Sequence, residues 1–344
     1  MPSSRVLFFT DPHPYQAAIR AAEAEVFVTT EGEYRAEMTQ IDLHRLWIQR
    51  GWEILPRVFH SAASAKRSPI VFLDDGNQRT IRRSGRERSS GAIIIDGVGT
   101  RHHDRGRGPR ASMSLTPEDL VEAGRAINAR ALAPSPVTHL VRPEPALMAR
   151  LLLVHDDAAR VAKTALTRLP QPEVARPLER ALIDAMIKCL TSAPLETRAT
   201  TRRHAEIIAW LEDLLAANRD RPLYLAEICA TTGVSERTLR VCCHEHLGMG
   251  PVRYLWLRRM HLARATLIRA DPASASVTSI ATDHGFWELG RFSVEYRTLF
   301  GESPSVSLRG PPDDRGVAVN THLAYKGPNL HSTRRRAYQM TSRF

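Results

Sequence analysis

The sequence predicts an α+β fold: a β-rich front half, a helical middle and an all-α end holding two helix-turn-helix units. Three observations predict it. Short apolar runs rich in β-branched residues, punctuated by turn residues, fill positions 26 to 100. From Leu147 onward apolar residues recur at steps of three and four instead. Two glycine-centred segments of one pattern then stand at 225–243 and 278–296. With 344 residues the chain can bury two cores of ordinary size.

In the front half Tyr34, Ala36 and Met38 alternate with polar neighbours, as do Leu46 and Ile48. The runs SPIVFL and GAIIID follow, bounded by EG, DDGN and DG, so an antiparallel barrel or sandwich is expected. Thr116, followed by Pro117, Glu118 and Asp119, starts a helix: a capping hydroxyl, a proline in the first turn, and acids near the positive helix end. That helix runs to about Arg130 and closes a β-rich domain over 1–138. APSPVTHLVRPEP reads as an extended connection.

Residues 139–200 form a linker and helical region. Leu147, Leu151, Val154, Ala158, Val161 and Ala165 make one helical face, and Leu178, Leu182, Met186 and Cys189 make another. Two readings stand: these stripes pack on the β domain, or they form a homodimer interface. Residues 201–310 are wholly helical, and 311–344 lack periodicity, which predicts a disordered tail in which RRR at 334–336 is solvated.

The formal charge is +11, carried almost wholly by arginine, since the lysines are Lys66, Lys163, Lys188 and Lys326. A basic excess suggests a polyanionic partner. Its placement is uneven: 79–110 carries a net +6, 311–344 a net +4, and 201–310 only +2. DNA binding by the last of these must therefore rest on where arginines stand. Cys189, Cys229, Cys242 and Cys243 show no CxxC spacing, so neither a disulfide frame nor a zinc site is indicated, and a reducing cytoplasm is expected. No signal-like leader and no run of about 18 apolar residues occurs, so no membrane partner is expected.

In LAEICATTGVSERTLRVCC, Ile228 and Cys229 precede Gly233 by five and four residues. In TSIATDHGFWELGRFSVEY, Ile280 and Ala281 precede Gly285 by the same distances. Each reads as a short helix, a glycine turn with positive φ and a second helix entered at Ser235, or at Trp287 and Glu288. This is the helix-turn-helix pattern, which pushes its second helix outward into a major groove. Between the units, Pro251 opens a helix whose face carries Trp256, Met260, Ala263 and Leu267. Its length of roughly 30 Å approaches one DNA turn, so it could set two reading helices in successive major grooves.

Residues 203–308 resemble the DNA-binding domain of the AraC/XylS family of bacterial transcription factors. The resemblance rests on LAEICATTGVSERTL, YLWLRRMHLARATL and IATDHGFWELGRFSVEYRTLFGESPS. It implies binding to double-stranded promoter DNA, contact with RNA polymerase, activation more often than repression, and a front domain for a small-molecule effector or dimerisation. That front domain is expected to be cupin-like, a match of general character joined by YRAEMTQIDLHRLWIQRGWEILPRV.

In the first recognition helix the outward positions are Glu236, Arg237, Arg240 and Val241, with Thr238 beside them. Arg237 and Arg240 match the family's base-reading positions, and arginine can bind guanine O6 and N7 together. In the second helix the matching positions are Leu289, Gly290, Ser293 and Val294. Gly290 costs about 1 kcal/mol of helix stability relative to alanine; its absent side chain would let the helix terminus approach the DNA closely. Arg291 and Arg297 flank this surface, and Arg253 and Arg264 lie on the connector; each has two readings, a phosphate contact or, by default, solvated surface.

Other chemistry finds little support. His102, His103 and Asp104 suggest a metal, but adjacent strand residues point to opposite faces and TRHHDRGRGPR reads as an exposed loop. Cys242, Cys243 and His244 sit in a recognition helix, where packing is the simpler account. No catalytic residue, metal or cofactor is assigned. A DNA-bridging architectural protein and a cupin-type enzyme with a DNA-targeting module remain the rival readings.

Overall fold

The computed structural model describes residues 2–73, 81–83, 86–88, 91–97, 101–106, 110–128, 132, 135, 137–164, 168–197, 202–218, 221–310 and 317–319. The front half contains β1 (Ser3–Phe9), α1 (Pro12–Ala17), β2 (Ala22–Val28), β3 (Ala36–Asp42), β4 (Trp47–Glu53), β5 (Arg57–Ala63) and β6 (Ser68–Phe72). It continues with β7 (Ile81–Arg83), β8 (Arg86–Arg88), β9 (Ile93–Ile95), β10 (Arg101–Gly106), β11 (Arg110–Leu115) and α2 (Pro117–Asn128). After β12 (His139–Val141) come α3 (Pro145–Thr164), α4 (Pro172–Thr191) and β13 (Glu196–Thr197). The helical half holds α5 (Arg202–Ala217), α6 (Leu225–Thr232), α7 (Glu236–Leu247), α8 (Pro251–Arg269), α9 (Val277–Asp283), α10 (Leu289–Phe300) and α11 (Pro304–Arg309), and β14 (Val317–Val319) ends the series.

The strands form a nine-stranded sheet, ordered β13-β12-β9-β6-β11-β4-β3-β1-β14, and a five-stranded sheet, ordered β2-β5-β10-β7-β8. Period-two alternation explains how they stack. Val26, Val28 and Phe59 turn toward Phe9, Met38 and Tyr15, forming a core that joins the two sheets. Their strand neighbours Phe27 and Val58 join Leu211, Leu239 and Leu247 of the helical domain instead. The larger sheet buries Ile48, Ile70, Phe72 and Met113 with Leu120, Leu151 and Met186 of α2, α3 and α4. The layers therefore run helices, large sheet, small sheet, helical domain.

This is the expected sandwich, with corrections. Strands begin well before residue 26, because β1 and most of β2 precede it. His102, His103 and Asp104 belong to strand β10 rather than a loop, and β10 pairs along β5 with His103 opposite His60. The connection after α2 carries β12, paired to β9. Val317–Val319 pair with Phe9, Phe8 and Leu7 of β1, so disorder does not describe those three residues; the rest of 311–344, with the arginines at 334–336, lies outside the described residues. Leu151, Ala158, Leu182, Met186 and Cys189 are fully buried within the chain. These five pack on the sheet, while Leu147, Val154, Val161 and Leu178 of the same stripes are partly buried against that core; Ala165 lies outside the described residues.

Candidate nucleic-acid interface

Both helix-turn-helix units close on the glycines that their sequences single out. Gly233, at φ 65°, ends α6 in the left-handed region, and Ser235 then caps α7 by accepting the Thr238 amide at 3.2 Å. Gly285 makes the equivalent turn at φ 77° between α9 and α10. The two turns differ in their surroundings. A Cβ at Gly233 would meet open space, whereas one at Gly285 would lie 2.8 and 2.9 Å from Pro222 carbons. Gly285→Ala should therefore cost about 2–4 kcal/mol, strain and overlap together, and Gly233→Ala about 1–2 kcal/mol. Equal losses in denaturant titrations would show that the Pro222 contact is immaterial.

The connector α8 has 19 residues and is thus about 28 Å long. It is a shared core as much as a spacer: Tyr254 and Leu255 pack into the first unit, and Leu257, Met260, Ala263 and Leu267 into the second. The Arg253 guanidinium lies 4.0 Å from the centre of the Trp256 ring. The Trp256 Nε1–H donates to Glu295 at 2.8 Å, and Glu295 accepts from Arg291 at the same distance. Arg253 stays exposed. Arg264 does not: it is buried and bound to Asp11 and Glu302, which corrects its reading as a phosphate contact.

Of the positions expected to read DNA, Glu236, Arg237, Arg240, Val241, Gly290, Arg291, Val294 and Arg297 are exposed. Arg240 pairs with Glu236 at 2.6 Å, an exposed contact worth a few tenths of a kcal/mol and so readily exchanged for a base. Leu289 is half-buried against the second core. The Ser293 hydroxyl donates to the Leu289 carbonyl at 2.9 Å, and the Thr238 hydroxyl lies 2.9 Å from that of Ser235. Both hydroxyls therefore serve the helix termini first. Gly290 has nothing within 4 Å of where a Cβ would stand, so no neighbour among the described residues demands a glycine there. Cys242 and Cys243 are fully buried, and burial pushes the Cys243 thiol up to about 12, as befits packing.

Sequence reasoning missed the groups that fasten this domain to the small sheet. Arg258 reaches Glu25 at 3.2 Å and Glu212 at 3.5 Å. Glu212 accepts from the Tyr254 hydroxyl at 2.7 Å and lies 3.0 Å from His60 Nδ1. His60 stacks on Tyr254, and Phe27 presents its edge to His60, Tyr254 and His261. Arg264 bridges Asp11 of the front half to Glu302 while covering Phe300. Arginines on a helix read as surface until their distant partners are known.

The front domain offers an open cavity of about 690 Å³ whose lining includes Trp47, Lys66, Arg67 and five alanines. Among the described residues no group of three His, Cys, Asp or Glu side chains could hold a metal, and no helix is long and apolar enough to cross a membrane.

Residues 228–310 match the family described as a helix-turn-helix domain. The probable thc operon regulatory protein of Rhodococcus erythropolis is 45% identical over 106 residues, which cover 31% of this chain and 32% of that protein. XylDLEGF operon transcriptional activator 2 of Pseudomonas putida is 35% identical over 91 residues, 26% of this chain and 58% of its own length. A solved structure of a probable AraC family transcriptional regulator from Rhodopseudomonas palustris CGA009 is 32% identical, covering 30% of this chain and 94% of that one, with a TM-score of 0.27. The chain thus spans about a third to just over half the length of these two curated relatives.

Proposed function

We propose that this chain is an AraC/XylS-type, effector-responsive activator of one or a few promoters, a reading supported by the helix-turn-helix match over residues 228–310 and by the likeness to operon regulators. Arg237 and Arg240 read bases from α7, while Gly290 and Val294 lead α10 into the next major groove. Arg291, Arg297 and Arg253 hold phosphates. A small-molecule effector occupies the front domain, for which the cavity beside Trp47 is the concave surface. The protein works in the cytoplasm with RNA polymerase.

One observation carries this reading. With the front domain docked, the outward residues of both recognition helices are still exposed, on either side of one connector whose buried face belongs to both units. Genome-fragment selection with purified protein tests it. Recovery of a few sites sharing two short motifs about one helical turn apart is expected. Arg240→Ala should weaken those sites by roughly tenfold or more, from about 1–3 kcal/mol of lost base discrimination, and relax one motif. Diffuse recovery that the substitution weakens evenly would instead indicate a backbone-binding architectural protein.

A further inference from the structure

Besides sharing α8, the two helix-turn-helix units meet at a second point. Pro222 stands in the link between α5 and α6, and its neighbour Leu223 is buried in the core of the first unit. Two carbons of Pro222 lie 2.8 and 2.9 Å from where a Cβ on Gly285 would stand, so the turn of the second unit rests on the entry to the first. Arg259 of α8 flanks the same spot. Its Nη1 lies 3.0 Å from that Cβ position and donates to the Gly285 carbonyl at 3.1 Å, and its Cζ stands 5.2 Å from the centre of the Phe286 ring. Farther along α8 the Thr266 hydroxyl lies 3.0 Å from His284 Nε2. The turn at 284–286 is thus held by two side chains of α8 and by Pro222.

Turn geometry alone does not ask for this. Gly233 makes the same turn at positive φ, and a Cβ there would meet open space. What the Pro222 contact adds is a second attachment between units whose cores both pack on one helix. Two units held only by a single helix can rock about it as side chains repack; an attachment away from that helix opposes the motion. The angles involved decide whether this matters for reading two motifs in one duplex. One added base pair moves the second motif by about 3.4 Å and turns it by roughly 34°, whereas a site held by packed side chains tolerates about 10–20°.

We propose that Arg259, with Pro222 and Gly285, is a positioning latch that fixes the rotation between the two reading helices, and with it the number of base pairs that must separate the two motifs of a bound site. Arg259 touches no base in this account. It acts through the turn that carries α10, so that releasing it leaves each helix its own base contacts and lets them be made at more than one spacing. This rests on the DNA-binding reading above.

The test uses the full chain and the recovered two-motif site, remade with one or two base pairs added or removed between the motifs. The wild-type chain should bind the native spacing about tenfold or more tighter than any other. Arg259→Ala should weaken the native spacing by roughly threefold to tenfold, the loss of pre-organisation, and bring the other spacings to within about threefold of it. Pro222→Gly, which leaves the arginine and its acceptor in place, should spread the spacing in the same way. Arg259→Lys keeps a donor and the charge and should return most of the preference. Base changes within either motif should cost each variant what they cost the wild type. Equal weakening at every spacing would reduce Arg259 to a fold-stabilising residue and overturn the proposal, as would an unchanged spacing preference in both Arg259→Ala and Pro222→Gly. Wild-type binding that is indifferent to spacing would overturn it too, while leaving the DNA-binding reading intact. Failure of the wild-type chain to bind the site at all would overturn that reading itself, and this proposal with it.

Discussion

Replacing Arg258 by alanine is expected to destabilise the folded chain by about 3–5 kcal/mol, the cost of leaving a buried charge without its partner. The Arg258 side chain is 3% exposed and that of Glu212 4%. Burial opposes the charge on Arg258, but Tyr254, Glu212 and Glu25 together hold its pKa above the ordinary value. With arginine gone, the carboxylate of Glu212 loses its guanidinium, while the Tyr254 hydroxyl and His60 stay among its partners beside the apolar Phe27. The double change Arg258→Met with Glu212→Gln should recover much of the loss, because a well-packed neutral pair can replace a buried ion pair at little cost. Urea titrations of both variants decide the matter. A loss below 1 kcal/mol in Arg258→Ala would mean that water or a rearranged neighbour takes over the guanidinium's part.

A second large effect is expected from acid. His155 on α3 packs edge-on against Phe72, and neither of its buried ring nitrogens has a hydrogen-bond partner. Burial, helped by Arg50 and opposed by Asp156, holds its pKa down at about 3. His261 lies 3.2 Å through Nε2 from the Val28 carbonyl, and burial holds it at about 4 despite that bond; Arg264 lowers it further and Asp11 opposes. Both values lie below the 6.5 of an unfolded histidine, so the unfolded chain takes up protons that the folded chain refuses. Stability is complete above about pH 6.5, falls as the pH drops below it, and levels off near the folded values. At pH 5 each histidine should have cost about 2 kcal/mol, at 1.36 kcal/mol per pH unit. His155→Leu should remove about half of the fall. Denaturant midpoints that stay flat from pH 7 to pH 5 would contradict this account.

The sequence made some of this legible and hid the rest for physical reasons. The two helix-turn-helix units could be read because a left-handed turn at Gly233 or Gly285, and apolar steps around it, are local requirements written in consecutive residues. The start of strand β2 before residue 26 and the facing of its side chains could not. Its Val26, Phe27 and Val28 are buried in succession because both faces of the small sheet are covered, which erases the alternation a one-sided strand would show. The resemblance pointed to the reading positions of α7 and α10; of these Arg237, Arg240, Gly290 and Val294 are exposed, while Leu289 and Ser293 are half-buried. Arg264 was misplaced, since nothing near it in sequence announces Asp11, 253 positions earlier.

The double allegiance of β2 makes the junction between the two halves a poor place to cut. A chimera joining residues 1–200 to a helical domain from another chain would confront Asp11, Glu25 and Phe27 with whatever that domain carries at the positions of Arg264, Arg258 and Tyr254. Two acids would then be stranded against a foreign surface unless those three residues travelled with the graft. The heritable unit is a matched pair of domains, and exchanges of the front domain should transplant the connector helix along with it.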